Sequence, residues 1–239
     1  MVGIHPVPPL RPNTDRENSL ADAPDGIRGQ EFVSSFPAQI SVGATFDKDL
    51  MYRYGEALGQ EYRGKGINIA LLPVAGPLGR VARGGRNWEG FGADPYLSGA
   101  GMHAVTTGLQ NQGVMAEAKH FLLNEQEWRR NPGSMGESIS SNADDRTIHE
   151  LYVFPFMDSL KAGAASVMCS YERVNNSYGC QNSKLMNGIL KTEVSRHRYL
   201  YSSSSALTHL SSSASKASSL PTGVLTTPAL PLRMPVSIW

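Results

Sequence analysis

In 239 residues there are only two cysteines, Cys169 and Cys180, and almost no net charge, with 22 Lys and Arg against 21 Asp and Glu. No basic stripe appears, which excludes the electrostatic footprint of a nucleic-acid binder and favours a small neutral partner. No apolar run reaches the roughly 18 residues that span a bilayer, so no membrane segment is predicted. The opening MVGIHPVPPLRPNTDREN has no apolar core after a basic start. It does not read as a signal peptide, so the chain is either cytoplasmic or lacks its true beginning. Catalytic signatures are missing too: there is no GxSxG elbow, HExxH helix, P-loop or CxxC, so serine hydrolase, zincin, NTPase and thioredoxin-type chemistries lack their core signals.

What is present is an alternation of short apolar runs with longer stretches of helical period, the pattern of βα units around a parallel sheet. Ile40 to Ala44 is predicted as a strand, followed by a helix over Asp47 to Lys65 with Leu50, Tyr54, Leu58 and Tyr62 on one face and Gly66 as its C-terminal cap. Ile67 to Val74 is a second strand and Leu97 to Gln112 a second helix. Val114 to His120 is a third strand. A helix starting at Asp144 and Asp145, whose charges suit its positive end, runs to Ala162 with a kink at Pro155. Ala165 to Tyr171 is a fourth strand, and Ser183 to Glu193 a last helix with Leu185, Met186, Ile189 and Leu190 facing inward. Four βα units are about half of an eight-stranded barrel, so residues 1–193 read as a partial (β/α)8 α/β domain. A doubly wound open sheet is the alternative, but the Gly-rich G-x-G-x-x-G turn after its first strand is absent. Residues 194–239 are rich in serine with scattered proline and no period, the composition of a disordered tail.

Polar residues collect just beyond the predicted strand ends, where barrel active sites form. Arg86, Asn87 and Glu89 follow the second strand, Lys119 and His120 end the third, and Tyr171 ends the fourth. Charged side chains of this kind grip vicinal hydroxyls through strong hydrogen bonds, and Trp88 or Tyr171 could cover an apolar sugar face. Blander readings stand beside this one. They make the Lys-His pair solvated, Arg86 and Glu89 an ion pair pinning a long loop, and Trp88 a packing anchor. Cys169 and Cys180 flank a turn-rich stretch and fit either buried thiols or a disulfide. Within that stretch Asn175-Asn176-Ser177 fits the N-glycosylation acceptor pattern.

The succession PVAGPLGR, GGRNWEGF, DPYL, AKHFLLNEQE, SISSNADDRTIHELYVFPF and SVMCSYERVNNSYGCQNSKLMNGILK resembles fungal β-glucosidases of glycoside hydrolase family 3, in order, from about Leu20 to Glu193. The resemblance implies a retaining hydrolase of terminal non-reducing β-D-glucosyl residues, secreted, with no cofactor and with a β-glucoside or glucose as its partner. It implies sugar-holding roles for Asp22, Arg86, Lys119, His120, Met168 and Tyr171, a disulfide between Cys169 and Cys180, and a glycan on Asn175. Near Asp22 the sequence departs from the family, with Asp25 in place of a typical leucine. The resemblance assigns no nucleophile or acid/base to any carboxylate here, Glu89, Glu125, Glu127 and Asp145 included. The nucleophile belongs to a Ser-Asp-Trp segment expected just after Glu193, where the serine-rich stretch stands instead. A non-catalytic chain that at most binds glucose weakly is therefore the competing reading. Because Lys119 and His120 are sequence neighbours that must face one pocket, a bulge or non-proline cis bond is expected between them, since successive strand residues point to opposite faces.

Overall fold

A computed structural model describes residues 20–22, 24–77, 82–133 and 136–194. Its centre is a four-stranded sheet of β1 (Leu20–Asp22), β2 (Ile69–Leu71), β3 (Met115–Phe121) and β5 (Ser166–Cys169), paired in that order and parallel throughout. The order runs in one direction, without the reversal that defines a doubly wound sheet. An α/β fold on a parallel sheet is thus what these residues form.

The helices begin where the sequence supplies a cap. Asp47 accepts hydrogen bonds from the Asp49 and Leu50 amides at 2.9 and 3.0 Å and starts α2 (Lys48–Gly64), while Asp94 does the same for α3 (Pro95–Asn111). Pro95 sits in the first turn of α3, where its missing N–H costs nothing. Beyond α2, Gly66 takes φ +77°, the left-handed position that glycine fills without penalty. Between α2 and α3 the backbones nearly touch: a Cβ on Gly55 would lie 2.6 Å from the Val105 carbonyl oxygen. The buried face of α2 is Met51, Tyr54, Leu58 and Tyr62. Leu50, expected on that face, is 41% exposed because Met51 takes the inward position.

Two expected elements are also corrected. Ile40 to Ala44 is not a strand but a short helix, α1 (Gln39–Gly43). Gln39 and Val42, three apart, are buried while Ile40 faces outward, and a short apolar run cannot distinguish the two periods. The first strand is instead Leu20–Asp22, three residues too short to show any alternation. The expected helix from Asp144 is also not uniform. Asp144 caps α4 (Asp145–Thr147), accepting from the Thr147 amide at 2.8 Å; wide π turns then run from Ile148 to Val153, and α5 (Phe154–Lys161) follows. The irregularity lies ahead of Pro155 rather than at it. Pro155 has no N–H to return to the preceding turn and falls in the first turn of α5, where none is needed.

A second small sheet joins β4 (Ser140–Ser141), β6 (Arg173–Val174) and β7 (Ser177–Tyr178). The β6–β7 hairpin turns on Asn175 and Asn176, both at positive φ, the two-residue turn whose twist matches its strands. The last helix, Lys184–Val194, buries Leu185, Met186, Ile189 and Leu190 as expected, and Val194 besides. Across the core Phe121 meets Phe156 edge to face at 5.1 Å. Residues 195–239, which the sequence reads as a disordered tail, lie outside the described residues.

Candidate active site

Parallel strands gather their carboxyl ends on one side of the sheet, and every residue singled out for sugar binding comes from there. Asp22 closes β1, Arg86 lies in the loop after β2, Lys119 and His120 lie near the end of β3, Met168 is in β5 and Tyr171 follows it. All six line one cavity of about 230 Å³, with Arg28, Leu71, Glu89 and Arg130. At Lys119 and His120 the expected local break is present. The β3–β5 register shifts between Ala118 and Phe121, the Lys119–His120 peptide is cis, and both side chains reach the cavity.

Cations outnumber anions in the cavity, and each anion is held. The Lys119 ammonium, 1% exposed, donates to Asp22 Oδ1, and Arg28 approaches Asp22 Oδ2 at 3.3 Å. Arg86 grips Glu89 with a fork, Nε to Oε1 at 2.6 Å and Nη2 to Oε2 at 2.7 Å. Glu89 is 3% exposed and stands 4.0 Å from the Lys119 ammonium. The ion-pair reading of Arg86 and Glu89 is therefore what the geometry shows, within the cavity wall rather than apart from it.

Ionisation follows from this packing. Burial works against the Asp22 carboxylate, but Lys119, Arg28 and Arg86 outweigh it and hold the group below its ordinary value. For Lys119 burial wins over the pull of Asp22 and Glu89, and its pKa falls. His120 is driven well below its usual value by burial and by the cations Lys119, Arg86 and Arg130, so it is neutral at physiological pH. Burial lowers Arg86 too, yet its bond to Glu89 raises it more. The cavity thus offers fixed cationic and carboxylate partners beside a neutral imidazole, a set able to donate to and accept from hydroxyl groups.

Arg28 and Arg130 were not singled out from sequence. Arg28 stands six residues after Asp22, but no local pattern says that it turns back to that carboxylate. Arg130 places its guanidinium 5.3 Å from the centre of the Tyr171 ring, a contact made only by the fold. Trp88, half-buried, is not among the residues lining the cavity.

Cys169 and Cys180 form a disulfide with Cα atoms 5.3 Å apart. It links the end of β5 to the stretch after the β6–β7 hairpin, at whose exposed tip Asn175 lies. Asp145 is remote from the cavity, paired to Lys184 at 2.8 Å. Glu125 lies in the loop after β3, beside the cavity, and burial pushes its carboxyl up to about 8.

The fold and site define a chain with a parallel-sheet α/β architecture and a charged, polar cavity at the carboxyl ends of its strands. The Glycosyl hydrolase family 3 N terminal domain matches residues 20–223, and the chain belongs to glycoside hydrolase family 3. The match runs into the serine-rich stretch. Probable beta-glucosidase M of Emericella nidulans is 55% identical over 186 residues, which are 76% of this chain and 24% of that protein. The solved Chaetomium thermophilum beta-glucosidase superposes with a TM-score of 0.70 at 55% identity, covering 72% of this chain and 21% of that one. A beta-glucosidase from Streptomyces venezuelae in complex with D-glucose gives a TM-score of 0.68 at 36% identity, over 74% of this chain and 22% of that one. The chain spans about a quarter of the length of the relatives it matches.

Proposed function

We propose that this chain carries the sugar-holding side of a retaining β-glucosidase site, for terminal non-reducing β-D-glucosyl units, and that by itself it binds the glucosyl unit without cleaving it. The observation that carries the reading is the gathering of Asp22, Arg86, Lys119, His120, Met168 and Tyr171 around one cavity. At about 230 Å³ it is smaller than the roughly 300–1,000 Å³ of sites for drug-sized ligands, a size suited to one sugar ring. In this reading Asp22, Arg86, Lys119 and His120 bond the hydroxyls, and Met168 and the half-exposed Tyr171 ring supply apolar contact. The parallel sheet is the first half of a (β/α)8 barrel, whose sites form at this face. The disulfide and the sequon at Asn175 support a secreted protein.

Absence of turnover follows from the chemistry. Retention needs two carboxyl groups about 5–5.5 Å apart, one as nucleophile and one as acid/base. The cavity carboxylates are both committed, Asp22 to Lys119 and Arg28, Glu89 to Arg86. Neither is free to attack an anomeric carbon or to carry a proton to a leaving group. Purified chain given a chromogenic β-glucoside should release nothing above a no-protein control, while D-glucose should perturb the NMR signals of Tyr171 and Met168. Saturable turnover would overturn the first half of the proposal, and no response to glucose at any concentration the second.

A further inference from the structure

Beneath the aromatic wall of the cavity lies a group of side chains to which the sugar-holding reading above gives no role. Glu172, next after Tyr171, is wholly buried. Its Oε2 accepts a hydrogen bond from Ser141 Oγ at 2.7 Å, and its Oε1 has no partner. Arg130 reaches in from the loop after β3, with its guanidinium over the Tyr171 ring and its Nε 3.5 Å from Glu127 Oε2. Arg130 Nη1 and Glu127 Oε1 are also buried without partners. One unfilled donor and two unfilled acceptors thus belong to three side chains close enough to feel one another's charge.

Buried donors and acceptors are nearly always paired, so such a set calls for an explanation, and the unfilled donor of Arg130 is complementary to the unfilled acceptor of Glu172. We propose that Glu172 is a positioning residue for the cavity wall: neutral, it leaves Arg130 over Tyr171 and facing the sugar, and ionised, it draws the guanidinium away. The inference rests on the sugar-holding reading of the cavity and adds a control by proton concentration. Its charged surroundings are few. Glu125, Glu127 and Arg130 face Glu172 from the loop after β3, Ser141 bonds it from β4, and its chain neighbour Arg173, the first residue of β6, is turned to the Ser138 carbonyl and to Glu137. Burial pushes Glu172 up to about 7, Glu127 adds to that, and the Ser141 hydroxyl and Arg130 hold it down. The change of state therefore falls near neutral pH.

The test uses the full chain, isotope-labelled, with the Glu172 carboxyl, the Arg130 guanidinium and the Tyr171 ring followed by NMR from about pH 5.5 to about pH 8.5, first without sugar. All three should titrate together, with a midpoint near 7. In Glu172→Gln the Arg130 and Tyr171 signals should stay flat. Ser141→Ala, which removes a bond to the carboxylate, should move the midpoint upward. In glucose titrations the wild-type chain should lose about tenfold in affinity across the transition, the worth of one charge-assisted hydrogen bond, and Glu172→Gln should keep the low-pH affinity. Titration of Glu172 in the ordinary carboxylate range, or of Arg130 in Glu172→Gln as in wild type, would overturn the proposal. A chain that binds no glucose at any pH would defeat the sugar-holding reading, while the sugar-free titrations would still decide the role of Glu172.

Discussion

Lys119, near the end of β3, bonds the carboxylate of Asp22 at the end of β1, across the intervening strand β2. The pair ties the β1 and β3 sides of the cavity together and leaves a buried ammonium that depends on its partner. Asp22→Asn should therefore destabilise the chain. Removing one partner of a fully buried pair costs about 3–5 kcal/mol. Because the Asp22 side chain is 38% exposed, water takes up part of the loss, and about 1–3 kcal/mol is expected. Asp22→Asn combined with Lys119→Met should cost less than the sum of the two single changes, as read by urea unfolding. Strict additivity would show that the pair is not coupled.

The Cys169–Cys180 bond closes a short loop, with a sequence separation of 11. Chain-entropy reasoning gives about 2–3 kcal/mol for a loop of this size. Cys169→Ser with Cys180→Ser should lower the unfolding midpoint accordingly, and a reductant should do the same to wild type but not to the double variant. An unchanged midpoint in both would mean that the link carries no stability.

Asn175 sits exposed at the tip of the β6–β7 hairpin, and its amide also holds the chain before α4, accepting from the Ala143 amide at 3.1 Å and donating to the Ala143 carbonyl at 3.0 Å. Expression in a glycosylating secretory host should add an endoglycosidase-sensitive mass that Ser177→Ala abolishes. Asn175→Ala should in addition cost about 1–2 kcal/mol through the two lost bonds, even in unglycosylated protein. A mass shift that survives Ser177→Ala would place the glycan elsewhere.

Glu172 also predicts how stability depends on pH. Its folded pKa, about 7, lies above the unfolded value near 4.5, so the folded chain binds the proton more tightly. Stability from this group is fully present below about pH 4.5 and is lost as pH rises toward 7, where the carboxylate must ionise in the interior. Glu172→Gln removes that loss. It should unfold like wild type near pH 4.5 and be more stable at pH 8 by on the order of 3 kcal/mol, from 1.36 kcal/mol per unit. Calorimetry across this range checks it, and a variant less stable than wild type at pH 8 would contradict it.

Much of this protein is legible along the chain because the responsible forces are local. Asp47 caps α2, Asp94 caps α3 and Asp144 caps α4 through amides two or three residues away, and Gly66 ends α2 from its own left-handed conformation. The run of motifs from Leu20 to Glu193 likewise names the family and six cavity residues. Local forces did not settle Ile40–Ala44, where a run of five residues fits a helix as well as a strand and only the burial of Gln39 and Val42 decides. Nor does any spacing place Leu20–Asp22 as the first strand, since its pairing partner Ile69–Leu71 lies nearly fifty residues away. Arg28 on Asp22, Arg130 over Tyr171 and the neutral His120 belong to the same class. Each depends on which charges and rings the folded sheet brings within a few ångströms and how much water it removes. The sequence by itself determined where helices start and stop and which chemistry is present, whereas the tertiary structure alone decided which of those groups meet and which are ionised, because both depend on distances between residues far apart in the chain.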